Sequence, residues 1–189
     1  NYTTQNNTLI IDTINPLMSI VYPQNTTYNI NVSALNYTVS DLNLQACWYS
    51  LDNGQNNASV LSCGINLTGL TSVEGSNNWI VYVNDSAGNV NSSQVTFFKD
   101  TINPNLTIIS PQNITYNNAT ILVNISANDI NLDKIWYNWN GTNYTYTNSL
   151  YITFNESSNT VYAYANDSLG NINTTSITFN VDTIPPLIS

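Results

Sequence analysis

An internal repeat is the feature that most restricts how this chain can fold. The segment 12–16, Asp-Thr-Ile-Asn-Pro, recurs at 100–104 and, as Asp-Thr-Ile-Pro-Pro, at 182–186, so the offsets are 88 and 82 residues. A unit of that length is enough for one small domain and too short for two. The sequence therefore predicts two domains of similar fold.

The repeat also predicts the domain boundaries. At offset 88 residues 12–54 align without a gap, and at offset 82 residues 84–89 align with 166–171. Both ends of the chain continue the same register, so each is expected to be a fragment of a further repeat. The predicted organisation is 1–11 as the last strand of a preceding or partner repeat, 12–99 as repeat one, 100–181 as repeat two, and 182–189 as the first strand of a following repeat.

Hydrophobicity alternates with a period of two within each repeat. Ile121, Val123 and Ile125 alternate with residues that include Asn124 and Ser126, which is typical of a strand with one buried face. Asn-Gly and Asp-x-x-Gly-Asn turn signals separate such segments, and no segment has a convincing helical period. About seven short strands per repeat predict an all-β protein made of tandem β-sandwiches.

Four motifs recur in both repeats. They are the Asp-Thr-x-x-Pro opening, a Ser/Tyr-Pro-x-Asn turn, a Trp-Tyr strand at 48–49 and 136–137, and an Asp-x-x-Gly-Asn turn before the final strand. Together they resemble the tandem immunoglobulin-like repeats of bacterial and archaeal surface proteins. The resemblance implies immunoglobulin-like sandwiches. It implies no single function, because such modules serve as stalks, adhesins, filament subunits and enzyme appendages.

The asparagines are concentrated in glycosylation sequons. Random placement of 36 Asn with 42 Ser/Thr among 189 residues gives about 8 Asn-x-Ser/Thr matches, whereas the chain has 18. N-glycans are bulky and confined to surfaces, so this enrichment predicts heavy N-glycosylation and an extracellular or cell-surface location; unused matches in a polar chain are the alternative. The predicted acceptors are Asn1, Asn6, Asn25, Asn31, Asn36, Asn57, Asn66, Asn84, Asn91, Asn105, Asn113, Asn118, Asn124, Asn140, Asn143, Asn155, Asn166 and Asn173.

The sequons also predict which side chains face outward. The Asn and Ser/Thr of a sequon are two residues apart, so they share one face of a strand. A glycan cannot enter the core, so Asn124 and Ser126 are expected to face outward and Val123 and Ile125 inward. The same reasoning at Asn36 and Asn105 predicts three further core residues: Leu35, Tyr37 and Leu106.

The two cysteines are predicted to form a local disulfide. Cys47 and Cys63 are 16 residues apart, and the chain has no further Cys and no His to complete a zinc site. Two buried free thiols are the alternative. A disulfide indicates an oxidising compartment. No stretch approaches the ~20 apolar residues of a membrane span, so any signal peptide or anchor is expected outside this segment.

The charge composition excludes several functions. The net charge is −9, His and Arg are absent, and Lys99 and Lys134 are the only cationic side chains. Such a chain cannot neutralise phosphates, which excludes nucleic-acid binding, and it lacks the usual general base near neutral pH. Asp129 and Asp133 are candidates for a glycosidase-like acid–base pair. They lie in a predicted turn with no predicted cleft, so the protein is not expected to be an enzyme.

The other acidic residues are assigned to turns rather than to metal. Glu74 and Glu156 precede equivalent strands and are expected to bond to backbone amides at a strand corner. Calcium is considered at Asp85 and Asp167, because hard cations need clustered oxygens. Each position offers one carboxylate, and an Asx turn explains an Asp before Gly-Asn. No cofactor is therefore predicted, and the less favoured alternative is calcium at the junction residues Asp12, Asp100 and Asp182.

Trp48 and Trp136 lie at equivalent positions and admit two interpretations. In antibody domains a Trp on the third strand is buried. Alternation instead places Cys47 and Tyr49 on the inner face and Trp48 on the outer one. The alternation is preferred, and it leaves both Trp residues available to stack on glycans or to pack against a neighbouring chain.

These features together predict a structural subunit of a heavily N-glycosylated extracellular filament, stalk or surface layer, built from rigid immunoglobulin-like repeats. Residues 98–101 run from one repeat into the next, and Pro16 and Pro104 restrict φ after each joint. The predicted partners are other copies or repeats of the chain, joined end to end through strands in 1–11 and 182–189. The alternative is an adhesin or carbohydrate-binding surface module, and an enzyme appendage is third.

Overall fold

The computed structural model describes residues 11–60 and 62–187. They divide into two units, one that ends at Asp100 and one that begins at Thr101, so the division falls one residue after the predicted end of repeat one. Every helix or strand assigned in the described ranges is a β-strand. The part of the chain that the structure describes contains no helix with the length and apolar character of a membrane span.

Eight strands build the described part of the first unit: β1 Leu17–Tyr22, β2 Thr27–Tyr28, β3 Ala34–Ser40, β4 Leu44–Ser50, β5 Ala58–Ser59, β6 Leu67–Thr68, β7 Gly75–Asp85 and β8 Val90–Lys99. They form a three-stranded sheet in the order β1-β3-β6 and a five-stranded sheet in the order β2-β8-β7-β4-β5. Neighbouring strands are antiparallel, except that β2 runs parallel to β8.

The second unit repeats this arrangement with β9 Asn105–Ser110, β10 Thr115–Tyr116, β11 Thr120–Asn128, β12 Leu132–Trp139, β13 Thr142–Thr145, β14 Leu150–Thr153, β15 Ser157–Asp167 and β16 Ile172–Val181. The sheet orders are β14-β11-β9 and β10-β16-β15-β12-β13, with β10 parallel to β16. The prediction of an all-β chain with two similar sandwiches is confirmed, with eight strands per unit among the described residues.

Apolar side chains from both sheets fill the space between them. On β7, Trp79, Val81 and Val83 are fully buried, and alternate residues of this strand face the other side of the sheet. Phe97 on β8 packs edge to face against Trp79, with ring centroids 5.0 Å apart. Each such side chain contributes about 1.5–3 kcal/mol through burial, so the period of two in the sequence is also the energetic basis of the sheet.

The second unit fills the equivalent volume with a different set of aromatic rings. Val161 occupies the position that aligns with Trp79 and is equally buried. The bulk comes instead from Phe154, which packs edge to face against both Trp139 and Phe179, with centroids 4.9 Å apart in each case. The two cores are therefore built on one topology with different aromatic residues.

The strand faces predicted from the sequons agree with the observed burial. Val123 is fully buried and Ile125 is 5% exposed, whereas Ser126 is exposed on the opposite face of β11. The other residues predicted to be inward are buried as well: Leu35, Tyr37 and Leu106. These predictions are confirmed.

The predictions for the ends of the chain concern segments that the structure describes only in part. Residues 1–10 and 188–189 lie outside the described residues, and residues 182–187 contain no strand. The assignment of 1–11 and 182–189 to neighbouring repeats stays a prediction.

Candidate functional site

The predicted glycosylation sites are spread over both units. Sixteen of the 18 sequon asparagines lie in the described residues, and none of these sixteen is buried. Ten are exposed: Asn25, Asn31, Asn57, Asn66, Asn105, Asn113, Asn118, Asn140, Asn143 and Asn155. Six are half-buried and form equivalent pairs: Asn36 and Asn124, Asn84 and Asn166, Asn91 and Asn173. Asn1 and Asn6 lie outside the described residues.

Asn91 and Asn173 use their amide nitrogens to hold the start of each unit. Asn91 Nδ2 donates to the Pro16 carbonyl oxygen at 2.8 Å, and Asn173 Nδ2 donates to that of Pro104 at 2.9 Å. Asn91 stands opposite the fully buried Val83, so it lies on the inner side of its sheet. The nitrogen that would carry a glycan is therefore already hydrogen-bonded, which the sequon alone does not reveal.

Asn84 and Asn166 lie on the opposite, outer side of the same sheets. Asn84 Nδ2 donates to Gln45 Oε1 at 2.7 Å. Asn166 Nδ2 donates to Asp133 Oδ2 at 3.3 Å and to the Asp167 carbonyl oxygen at 3.0 Å. Gln45 and Asp133 are both exposed, so these two sequons lie on the outer face of each sheet, at the end of its central strand, β7 or β15.

A stacked aromatic pair lies beside each of these asparagines. Trp48 stacks on Tyr82 with centroids 5.4 Å apart and an interplanar angle of 7°. Trp136 stacks on Tyr164 at 5.2 Å and 4°. All four side chains are half-buried on the outer face of the five-stranded sheets. The structure therefore places Trp48 and Trp136 outward, as the alternation of the sequence predicts.

Cys47 and Cys63 form a disulfide, with their Cα atoms 5.3 Å apart. Cys47 lies on β4 and is buried in the core of the first unit, whereas Cys63 is half-buried in the segment between β5 and β6. The bond ties that irregular segment to a central strand. Ile135 occupies the position of Cys47 in the second unit, so that unit holds the equivalent segment without a disulfide.

Three carboxylates meet where the first unit begins. One oxygen each of Asp12, Asp41 and Asp85 lies within 4.8 Å of the others. The oxygens of Asp129 and Asp167, which align with Asp41 and Asp85, also lie within 4.8 Å of one another. The expectation that each position offers a single carboxylate is therefore wrong, because the β3–β4 turn brings Asp41 to Asp85. The recurrence of Asp41 at offset 88 is the signal that identifies it.

Hydrogen bonds within a turn account for Asp85. Its Oδ1 accepts the Ala87 and Asn89 amides at 2.9 Å each, and its Oδ2 accepts Asn89 Nδ2 at 2.7 Å. Gly88 supplies a φ of 90° that favours glycine. Burial alone raises the pKa of Asp85, but the hydrogen bonds from Asn89, Ala87 and Gly88 together outweigh it and the pKa is lowered. These hydrogen bonds fix the position of the Asp85 carboxylate within the turn, and the absence of a cation stays a prediction.

Of the candidate acid–base pair, Asp129 lies between β11 and β12, whereas Asp133 lies on β12, so the prediction that both lie in a turn is wrong for Asp133. Asp129 Oδ1 accepts the Asn131 amide at 2.8 Å. Asp133 lies 3.7 Å from Lys134 Nζ and accepts the hydrogen bond from Asn166. Each carboxylate is thus used to organise the local chain.

Glu74 and Glu156 hold strand corners in different ways. Glu156 accepts the Thr183 amide at 3.3 and 3.2 Å and also accepts the Thr183 hydroxyl, which agrees with the expected bond to a backbone amide. Glu74 forms an ion pair with Lys99 at 3.0 Å. Equivalent acidic positions therefore stabilise the end of each sandwich through different partners.

Asp52 organises a loop that the sequence reasoning did not single out. Its carboxylate accepts the Asn56 amide at 2.9 Å, the Ser50 hydroxyl at 2.7 Å and Asn56 Nδ2 at 2.6 Å. These bonds, that of the Asn56 backbone first, lower the pKa of Asp52 to about 2. The loop after β4 is therefore held by an ionised carboxylate.

No protein-family model and no curated protein matches the chain. It is similar in structure to an I-band fragment of titin, with a TM-score of 0.55, 15% identity, and coverage of 90% of this chain and 66% of that one. It is also similar to Sidekick-1 immunoglobulin domains 1–4, with a TM-score of 0.53 and 14% identity; the match covers 91% of this chain and 51% of that one. Extracellular domains 3–5 of Drosophila OTK match with a TM-score of 0.51 and 14% identity, over 88% of this chain and 62% of that one. The chain thus spans about half to two thirds of these structures.

At these identities the likeness defines the fold, and the fold agrees with the strand order described above. The chain consists of tandem immunoglobulin-like β-sandwich domains. What such domains do depends on their surfaces, so the function has to be argued from the asparagines and aromatic residues that this chain presents.

Proposed function

We propose that the chain is a structural segment of an N-glycosylated extracellular filament, stalk or surface layer. One observation carries the proposal: all sixteen described sequon asparagines have at least part of their side chain at the surface, and they lie on both units. A chance distribution of 18 matches over a sandwich would place some of them in the core, where a glycan cannot fit.

The surface chemistry supports the same proposal. Only 7% of the residues are charged, and asparagine is the most abundant residue type, with 36 copies. Charged side chains normally keep a surface soluble and free of association. Glycans are large and hydrated, so they supply that property where charge is scarce. The disulfide between Cys47 and Cys63 supports an oxidising, extracellular location.

The chain between the two units supports a structural role. β8 ends at Lys99 and β9 begins at Asn105, so the connecting segment is short. Pro104 within it has a restricted φ. A binding module gains from mobile linkers between domains, whereas a load-bearing segment does not need them.

Mapping of glycans on protein from its native source tests the first part of the proposal. Intact-glycopeptide mass spectrometry should find sugar at most of the eight sequons that both repeats share, and these are Asn25, Asn113, Asn36, Asn124, Asn84, Asn166, Asn91 and Asn173. Asn43 and Asn103 are exposed but lie outside sequons, so they are matched controls and should be bare. Unmodified asparagine at all eight sites would contradict the proposal.

Electron microscopy of the same native material tests the assembly. Fibres, stalks or a continuous layer are expected, with the repeat of about 80–90 residues visible as a regular density. Dispersed single particles in fully glycosylated material would contradict a structural assembly while leaving the glycosylation intact.

The aromatic pairs favour one alternative function, a carbohydrate-binding surface module. Trp48 with Tyr82 and Trp136 with Tyr164 present ring edges and faces on the outer side of each sheet. An adhesin of this kind should bind free oligosaccharides, and loss of binding in Trp48→Leu and Trp136→Leu would support it. Binding of none of a broad set of oligosaccharides by the native protein would leave the structural function as the one supported.

A further inference from the structure

An apolar patch lies beside one sequon asparagine on the outer face of each five-stranded sheet. We call it the aromatic patch; it consists of Trp136, Tyr164 and Ile172 beside Asn166, and of Trp48, Tyr82 and Val90 beside Asn84. Lys134 stands opposite Asn166 and Ala46 stands opposite Asn84 on the strand that carries the Trp. Ile172 is 48% exposed and Val90 is 51% exposed, so the patch is open to solvent. Apolar groups gathered in this way on a surface mark a place where something binds or covers them.

The strand register places the asparagine within the patch. Tyr164 and Asn166 are two residues apart on β15, so they share one face at a spacing of about 7 Å. Trp136 stands opposite Tyr164 on β12, and Ile172 stands opposite Asn166 on β16. Residues on three adjacent strands therefore flank the side chain that the sequon offers for glycosylation.

The first unit has the same arrangement. Trp48 stands opposite Tyr82, and Val90 stands opposite Asn84. The aromatic pairs of both units lie outside the hydrophobic cores of the described residues. The cores differ between the units in their aromatic residues, whereas the patch is the same, so packing of the core does not account for it.

Hydrogen bonds orient the amide group of the asparagine. In the second unit Asn166 Nδ2 faces a carboxylate oxygen of Asp133, which can only accept a hydrogen bond. In the first unit Asn84 Nδ2 faces Gln45 Oε1 on β4, three residues before Trp48. In both units the amide oxygen is the buried end of the side chain. The nitrogen, which is the atom that bonds to the sugar, is therefore at the outer end of the side chain. In the second unit it also donates to the Asp167 carbonyl oxygen at 3.0 Å.

We infer that the first sugar of an N-glycan at Asn84 and at Asn166 packs against the aromatic patch beside it. This inference rests on the proposed N-glycosylation. A pyranose ring carries C–H groups that pack on aromatic carbon while its hydroxyls stay hydrated, and Trp and Tyr offer the matching apolar surface with a polar edge. Covalent attachment beside the patch gives the chain's own sugar a high effective concentration there, so free saccharides compete poorly.

Sugar and ring contact is measured directly by nuclear Overhauser effects in the glycosylated full chain. Cross-peaks are expected between protons of the first sugar at Asn166 and the ring protons of Trp136 and Tyr164. Ser168→Ala removes the sequon while leaving Asn166 and the backbone bond from residue 168 to the Asn131 carbonyl in place, and these cross-peaks should disappear. Thr107→Val removes a sequon from the other sheet and should leave them unchanged.

A double-mutant cycle, followed by thermal unfolding, adds an energetic measurement. Ser168→Ala should lower the unfolding midpoint of the second unit by about 4 °C, since an aromatic contact stabilises a domain of this size by that order. In a Trp136→Leu background the same substitution should leave the midpoint unchanged within error.

The outcomes separate this inference from the proposed function. Cross-peaks together with a midpoint loss that depends on Trp136 support the patch as a sugar site. A glycosylated Asn166 without cross-peaks, or with equal midpoint losses in both backgrounds, overturns the inference and leaves the glycosylation proposal standing. A bare Asn166 and a bare Asn84 in native material overturn it together with the proposed glycosylation at these sites.

Discussion

Removal of the disulfide should destabilise the first unit and leave the second unchanged. The cleanest variant is Cys63→Ala, because it breaks the bond while the buried Cys47 thiol stays in the core as a small apolar group. The bond closes a loop over a sequence separation of 16. In the chain-entropy model a loop of that length contributes about 3 kcal/mol by restricting the unfolded state.

The assay is differential scanning calorimetry with the two units as separate transitions. A change of 1 kcal/mol moves the midpoint of a domain of this size by roughly 4–8 °C, so the first transition should fall by about 12–24 °C. The second unit carries Ile135 in place of Cys47 and has no disulfide to lose, so its transition is an internal reference. Chemical reduction and alkylation of the unaltered protein should reproduce the shift.

A comparison of variants separates the cross-link from packing. Cys47→Ala combined with Cys63→Ala also removes a buried sulfur atom and should cost somewhat more than Cys63→Ala alone. The reasoning would be refuted if the first transition moved by less than about 4 °C, the lower bound for a single kcal/mol. A parallel shift of the second transition would refute it as well.

Three further predictions concern other sites. Hydrogen bonds lower the pKa of Asp52 from 3.8 to about 2, so the stabilisation by its carboxylate is complete above pH 3.8 and is lost as the pH falls toward 2. Between these two pH values the unfolding midpoint of the first unit should depend less on pH in Asp52→Asn than in the unaltered protein. Phe179→Leu should destabilise the second unit by roughly 1–2 kcal/mol and shift only its calorimetric transition. Asn173→Ala, which loses the bond to the Pro104 carbonyl, should destabilise the second unit by about 1 kcal/mol. Thr175→Val, which removes the sequon and keeps that bond, should leave the stability of the unit unchanged. Equal losses in the two variants would assign the effect to the glycan.

The strand faces could be predicted because two local constraints coincide. On β11 the alternation of apolar residues and the spacing of the sequon at Asn124 independently send Val123 and Ile125 inward. Both constraints act within a few residues, so they can be read without knowledge of the neighbouring strands. The outward position of Trp48 follows from the same alternation, against the analogy with antibody domains.

Features that depend on distant parts of the chain could not be predicted in the same way. The group of Asp12, Asp41 and Asp85 forms because the segment before β1, the turn after β3 and the end of β7 meet in space. The inward position of Asn91 depends on its register with Val83. The sequon motif treats every such asparagine alike, whereas the folded sheet places Asn84 and Asn166 on its outer face and Asn91 and Asn173 on its inner face.

The edges of the sheets have a consequence for handling the protein in the laboratory. β13, Thr142–Thr145, is an edge strand with all four residues exposed, and it carries the sequon asparagine Asn143; the edge strand β9 begins at the sequon asparagine Asn105. Lysine side chains commonly keep such edges from pairing with other chains. This chain has only two lysine residues. If the glycans at these edges prevent such pairing, protein from a host that does not glycosylate would fold correctly and then precipitate by edge-to-edge pairing. The unglycosylated protein would lose solubility while each sandwich stayed folded.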